Sequence, residues 1–234
     1  MIIAIGYDMT TLFIKKSVLL AIVVTLVVVA LVATSCGIVA TATSTQPKVV
    51  VVDAGHGGMD GGVVGSTGVK ESDLNLMIAK ELQKQLERGG VKVVMTRTGE
   101  GAIGATKKQD MQNRKKIIVE ACPDVVVSVH INKFTSSKRR GVQVFYDDTG
   151  VGKNFAEHLQ NTVNQALNSK YTGRSDYIAI KGDLFITKCY ACPSVIVECG
   201  FLSNVEDEKL LLTDTYRREV AGVIASACLD ILGA

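Results

Sequence analysis

The chain has 234 residues, 26 of them Lys or Arg and 23 Asp or Glu, for a net charge of +3. Residues 1–46 hold Lys15, Lys16 and Asp8, so the remainder carries only +2 and offers no footing for nucleic acid as a partner. Tryptophan is absent and aromatic residues make up 5%, which argues against a strong stacking platform for sugars.

The first feature in chain order is an uncharged apolar run from Ser17 to Ala33. With its flanks it reaches the ~20 residues that a membrane span needs. Lys15 and Lys16 stand just before it, and positive charge stays on the cytoplasmic side, so the rest of the chain is expected outside the membrane. Two readings stand: an uncleaved signal anchor, or a signal peptide cut near Ala40–Ala42. The run exceeds the usual signal core of ~7–15 residues, which favours the anchor. Lipid modification at Cys36 fits less well, because "VATS" before it lacks a leucine. Residues 1–46 are assigned to this segment and its polar linker, and 47–234 to one domain.

Beyond the linker, strands and helices alternate. Val49–Asp53 is an apolar run of strand length. A helix capped by Ser72 is expected to run to Arg88, with Leu74, Ile78, Leu82 and Leu86 on one stripe and Gly89–Gly90 as its stop. Val91–Arg97 is the second strand, Asp110–Ala121 a helix and Pro123–His130 the third strand. Gly141–Tyr146 alternates apolar and polar residues, as an edge strand does. A helix over Asn154–Asn168 follows, then short apolar pieces at Tyr177–Ile180 and Leu184–Ile186. Pro193–Phe201 holds another buried strand, a short helix follows Asn204, and Tyr216–Leu232 forms the last helix. This order predicts an α/β domain with a twisted, mostly parallel sheet flanked by helices on both faces.

The cysteines are less informative. Cys189 and Cys192 form a single C-x-x-C without the second pair that a zinc finger needs, placed between strands rather than opening a helix. They read as a structural or incidental pair, with a disulfide open to them outside the cell. Cys122, Cys199 and Cys228 sit in apolar settings and read as core residues. The run Lys138–Arg140 reads as a solvated loop, or as a contact for an anionic polymer at the cell surface.

Ligands of parallel sheets gather at the carboxyl ends of the strands. The first strand ends at Asp53 with His56 just beyond, the third ends in "SVHIN" with His130, and the late strand ends in "VIVECGF" with Glu198. Glu71 opens the first helix, which faces the same rim. Each residue alone has an ordinary structural reading; their coincidence at one rim does not. Two histidines and a carboxylate suit zinc, with water in the open position. A carboxylate can take that water's proton and pass it to a leaving amine. Glu198 suits this role, because Val195–Val197 would desolvate it and raise its pKa. His158 sits mid-helix among polar neighbours and reads as a surface histidine. Gly55, Gly57 and Gly58 allow tight turning and leave room for a bulky substrate. A phosphate-cradling loop is the rival, but neither G-x-x-x-x-G-K-[ST] nor G-x-G-x-x-G is matched.

The motifs "VVVDAGHGGMDGG", "ESDLNL", Thr96–Arg97, "SVHIN" and "VIVECGFLSN" resemble those of the zinc-dependent N-acetylmuramoyl-L-alanine amidases, in order from Val49 to the C-terminus. Within that family, a lone catalytic domain behind an apolar segment looks most like the germination-specific amidase acting on spore cortex. The resemblance implies one zinc ion bound by His56, Glu71 and His130, with Glu198 as catalytic acid and base. The substrate would be peptidoglycan, cut between the lactyl group of N-acetylmuramic acid and L-alanine, outside the cytoplasm. Ala54 and Ile131 depart from the family's habits without touching a ligand. Asn132 follows His130 closely enough to orient substrate. A non-catalytic wall-binding relative, or another zinc hydrolase such as a peptidase or deacetylase, remains an open alternative.

Overall fold

The structure is a computed structural model that describes residues 20–27, 46–147 and 149–234. The chain separates into two units, Met1–Gln46 and Pro47–Ala234. In the first, residues 20–27 are helical and exposed; the rest of the expected anchor or signal segment lies outside the described residues. Among the described residues no helix is long and apolar enough to cross a membrane.

The second unit is built on a six-stranded sheet. Its elements are β1 (Val49–Ala54), α1 (Glu71–Arg88), β2 (Lys92–Met95), α2 (Lys107–Ala121), β3 (Val125–Asn132), β4 (Gln143–Tyr146), α3 (Lys153–Val163), β5 (Ile180–Lys181), β6 (Ser194–Phe201), α4 (Val205–Leu211) and α5 (Asp214–Leu232). The sheet order is β2-β1-β3-β6-β4-β5. The β1–β2, β1–β3, β3–β6 and β4–β5 ladders are parallel; the β4–β6 ladder is antiparallel. The sheet is therefore mixed, with β4 and β5 running against the other four strands.

Successive residues of a strand face opposite sides of the sheet, and here each side has its own core. Val50 and Val52 of β1, Val127 and Val129 of β3, and Val195 and Val197 of β6 enter the larger core with α1, α3 and α5. Val51, Val126 and Ile196 enter a smaller one with Ile118 of α2 and Ile186. Full burial of one such side chain contributes roughly 1.5–3 kcal/mol, so the valine runs fix strand register strongly. The residues Asp53, Ser128, His130 and Glu198 occupy the same alternating positions as the smaller-core valines. They share one face where β1, β3 and β6 end.

Several boundaries differ from expectation for identifiable reasons. Ser72 is not the cap of α1; the helix begins at buried Glu71, and Lys70 stands at the cap without a side-chain hydrogen bond. Helix α2 starts three residues early, because Thr106 Oγ1 accepts from the Gln109 amide. Strand β3 runs past His130 to Asn132. β4 is not an edge strand: the two-residue β5, too short to stand out in the sequence, covers its outer side. The helix expected to reach Asn168 is α3 followed by a wider π-helical turn at Asn164–Asn168. Asn168 is pulled inward there, accepting from the Val142 amide at 2.9 Å. Cys199 and Cys228 are buried as expected, but Cys122 is exposed, in a left-handed turn (φ 46°) that ends α2. Cys189 and Cys192 are both buried and unbonded: they pack as separate thiols against the smaller core, not as a disulfide.

Candidate metal centre

His56, Glu71 and His130 converge, each offering one ligand atom, with those atoms within 4.8 Å of one another. Glu71 Oε1 lies 3.3 Å from His56 Nε2 and 3.0 Å from His130 Nδ1. The rings of the two histidines stand edge to face, 5.0 Å apart. Two imidazole nitrogens and one carboxylate oxygen are the donor set that zinc takes in hydrolases, leaving a fourth position open. The group therefore fits one such ion.

Each donor is positioned from outside the cluster. Glu71 Oε2 accepts from the Val63 amide at 3.0 Å, while Oε1 accepts from Asn75 Nδ2 and the Ile131 amide, both at 3.2 Å. The loop before Glu71 is tied down in turn by Glu208, whose carboxylate accepts from the amides and hydroxyls of Ser66 and Thr67 at 2.6–3.0 Å. Burial would raise Glu208's pKa, but those donors outweigh it and hold it at about 2. His56 Nδ1 lies 3.0 Å from Asp60 Oδ1, the kind of carboxylate partner that fixes the orientation of a metal-binding imidazole. Its pKa is raised by the hydrogen bond it donates to Glu71, against burial, with Asp60 adding to the rise. For Glu71, burial would raise the pKa, but His130 and His56 hold it well below the usual carboxylate range.

Glu198 stands beside His130 in the β3–β6 ladder. Its Oε2 is buried without a hydrogen-bond partner. Burial is the main cause that pushes its pKa up to about 7. A buried acid that changes charge near neutrality, next to a three-ligand cluster, is the pairing that metal-assisted hydrolysis requires.

With that geometry in place, comparison with known proteins decides the family. The family described as N-acetylmuramoyl-L-alanine amidase matches residues 50–230. The chain belongs to that family. It is 29% identical over 191 residues to the germination-specific N-acetylmuramoyl-L-alanine amidase of Bacillus subtilis, covering 78% of each chain. It is 27% identical over 224 residues to the amidase AmiA of Escherichia coli, covering 78% of this chain and 75% of that one. Among solved structures, the CwlD amidase of Clostridioides difficile, in complex with the GerS lipoprotein, superposes with a TM-score of 0.74 at 30% identity. That match covers 80% of this chain and 98% of CwlD. The protein is thus a hydrolase of the amidase family.

What the sequence did not disclose is how the amidase holds its histidine loop. His56 lies in the left-handed region (φ 61°), a conformation that costs a non-glycine residue about 1–2 kcal/mol. Buried Arg114 donates to the carbonyls of Ala54 (2.7 Å) and His56 (2.6 Å), and to Asp53 and Asp110. Buried Arg97 donates to the carbonyls of Ala54, Gly55 and Ser72 at 2.8–2.9 Å. Two guanidinium groups thus replace the regular backbone bonds that a glycine-rich loop cannot make. In sequence Arg114 is one more cation on a polar helix, and only its Asp110 partner at i−4 hints at more.

The glycines also do something other than expected. A Cβ at Gly55 would lie 2.3 Å from the His130 ring, and one at Gly62 would lie 2.5 Å from Glu71 Oε2. The clearance they give is used by the site's own ligands. Gly57 and Gly58 do carry positive φ values of 136° and 60°, as the turn requires. Beside the cluster opens a cavity of about 710 Å³, to which His56 and His130 contribute together with Met111, Leu184, Phe185 and Ile186. Glu71 and Glu198 lie outside its lining.

Other expected residues fall as follows. Asn132 is half-buried on the His130 side of β3, and its backbone carbonyl accepts from the Leu202 amide. His158 is a surface residue 3.2 Å from Asp230, away from the cluster. Arg139 stacks over Phe134 at 4.2 Å, while Arg140 turns inward to Asp207 at 3.4 Å.

Proposed function

We propose that the amidase domain cleaves the amide between the lactyl group of N-acetylmuramic acid and L-alanine in peptidoglycan, with one zinc ion held by His56, Glu71 and His130 and Glu198 as base and acid. The observation that carries this reading is the convergence of three donor atoms within 4.8 Å beside a carboxyl whose pKa is about 7. A zinc ion in that cradle supplies Lewis acidity to water and to the scissile carbonyl. Glu198, in its charged form, takes a proton from the attacking water as the new C–O bond forms. The same proton then passes to the alanine nitrogen as the C–N bond breaks, leaving a free lactyl carboxyl and a free amine. Asp60 orients His56, and Arg114 and Arg97 keep its loop from relaxing during the cycle. Asn132, on the His130 face, is placed to hydrogen-bond the substrate.

Similarity to the germination-specific amidase of Bacillus subtilis and to CwlD supports spore cortex as the polymer concerned. The apolar run after Lys15 and Lys16 supports an extracytoplasmic location, with residues 1–46 as signal anchor or signal peptide.

The test is mass spectrometry of peptidoglycan fragments after incubation with the purified protein. New alanine amino groups paired with free muramic carboxyls are expected; free glucosamine amines would instead mean a deacetylase. Glu198→Gln should retain metal and lose roughly 10³-fold in rate. Full activity in that variant, or cleavage indifferent to chelators, would sink the assignment.

A further inference from the structure

In the sheet, His130, Glu198 and Gln143 form one row. His130 pairs with Glu198 across the β3–β6 ladder, and Glu198 pairs with Gln143 across the β6–β4 ladder. Directly opposed residues put their Cβ atoms about 4.5–5.5 Å apart. Val144 of β4 enters the larger core and Phe145 the smaller one, so Gln143 shares Phe145's face, which is also the face of Glu198. Because β4 runs antiparallel to β6, its first residue lies at the rim where β6 ends.

Gln143 is only 3% exposed, yet its side-chain amide makes no hydrogen bond among the described residues. Gln160 and Asn168 are engaged through both amide atoms: Gln160 bonds the Val144 amide and the Val142 carbonyl, and Asn168 bonds the Val142 amide and carbonyl. Neither amide atom of Gln143 is among the fully buried polar atoms left without a partner, so the small exposure of the residue lies at its polar end. Gln143 thus stands beside Glu198's own unpartnered Oε2, on the side away from the metal ligands. An amide with no internal partner, open to solvent beside an acid with an unpartnered oxygen, is a place that an incoming polar group can complete.

We propose that Gln143 is a specificity-determining residue of the amidase reaction: its side-chain amide hydrogen-bonds the stem peptide on the leaving-group side of the scissile bond. The match is chemical. The leaving amine is delivered at Glu198, and the next peptide group beyond L-alanine offers one N–H and one C=O. A primary amide can meet both, accepting through Oε1 and donating through Nε2. This rests on the amidase reading above.

The experiment compares N-acetylmuramoyl-L-alanine, which ends in a carboxylate, with an N-acetylmuramoyl tripeptide, which continues as a peptide. Gln143→Leu and the straight-chain Gln143→Met remove the amide and keep the bulk. Two lost hydrogen bonds should lower kcat/KM on the tripeptide about 30-fold, while the truncated substrate changes less than about threefold. Zinc content should not change, and the melting temperature should hold or rise, since the amide has no internal partner to lose. Equal loss on both substrates, no loss on either, or a clear drop in melting temperature for both variants would overturn the proposal. Wild-type protein that cleaves neither substrate refutes the amidase reading itself, and Gln143's role with it.

Discussion

Asp53 and Glu198 are the same kind of group in nearly the same place. Both are acids near the ends of strands, on one face of the sheet, and β3 lies between them. Ser128 of β3 sits opposite Asp53, and His130, two residues on, sits opposite Glu198. Their surroundings separate them. Asp53 accepts from Thr96 Oγ1 (2.6 Å), Ser128 Oγ (2.5 Å) and Arg114 (2.7 Å). Burial would raise its pKa, but Arg114, Ser128 and Thr96 hold it below the usual range. Glu198 has a buried oxygen with no partner and sits near 7. A carboxylate that is fully answered is locked in one charge state and serves as scaffold. One left unanswered can exchange a proton and serve as chemistry.

Breaking the scaffold acid should cost the most. Arg114→Met strands Asp53 as a buried, unpaired charge, a loss of about 3–5 kcal/mol. Urea unfolding of the metal-free protein would show it, and a change under 1 kcal/mol would mean the Asp53 network is not what holds the rim. The matching change at Glu198 should have the opposite sign. Its folded pKa of about 7 lies above the ordinary 4.5 of a glutamate. The folded state therefore holds that proton more tightly, and the resulting stability is complete below pH 4.5 and lost as pH rises through 7. At 1.36 kcal/mol per unit, the loss is up to about 3 kcal/mol. Metal-free Glu198→Gln should escape it: as stable as wild type at pH 4.5 and more stable at pH 8. Parallel pH profiles for the two proteins would show that Glu198 is not desolvated.

The contrast also explains what could be read in advance. Runs such as Val49–Val52 and Val195–Val197 announce buried strands, and a polar residue ending such a run is conspicuous, so His56, His130 and Glu198 stood out. Glu71 was legible because a helix start faces the same rim. Arg114 was not: nothing local tells a helix cation at the surface from one buried against Asp53, since that contact spans 61 residues. Gln143 was hidden by the misassignment of β4 as an edge strand, on which a polar side chain needs no explanation. The two residues of β5 that cover it carry too little pattern to detect. Long-range polar contacts and very short strands were the illegible part.

Gly55 tests whether the ligands themselves depend on the scaffold. Its missing side chain leaves the space that the His130 ring occupies. Gly55→Ala should displace His130 and weaken zinc binding by about 10–100-fold, the range found when the outer support of a ligand is lost. Gly99→Ala, where an added Cβ meets nothing within 4 Å, should bind as wild type does. Zinc titration calorimetry separates the two, and equal affinities would mean that His130 does not need that clearance.

The smallest effect is expected at Asp60, because its carboxylate is partly exposed and screened. Asp60→Asn should act in two directions at once. It removes the anion that orients His56 and makes its ring more basic, so zinc affinity at pH 8 should fall by about 10-fold. It also removes one of the causes that raise the pKa of His56. Protons compete with metal for that nitrogen below its pKa, so the pH at which affinity begins to fall should move lower in the variant. The affinity curves of the two proteins would then draw together as pH drops. A uniform offset across pH 5–8 would leave orientation alone as Asp60's contribution, and coincident curves would remove Asp60 from the site.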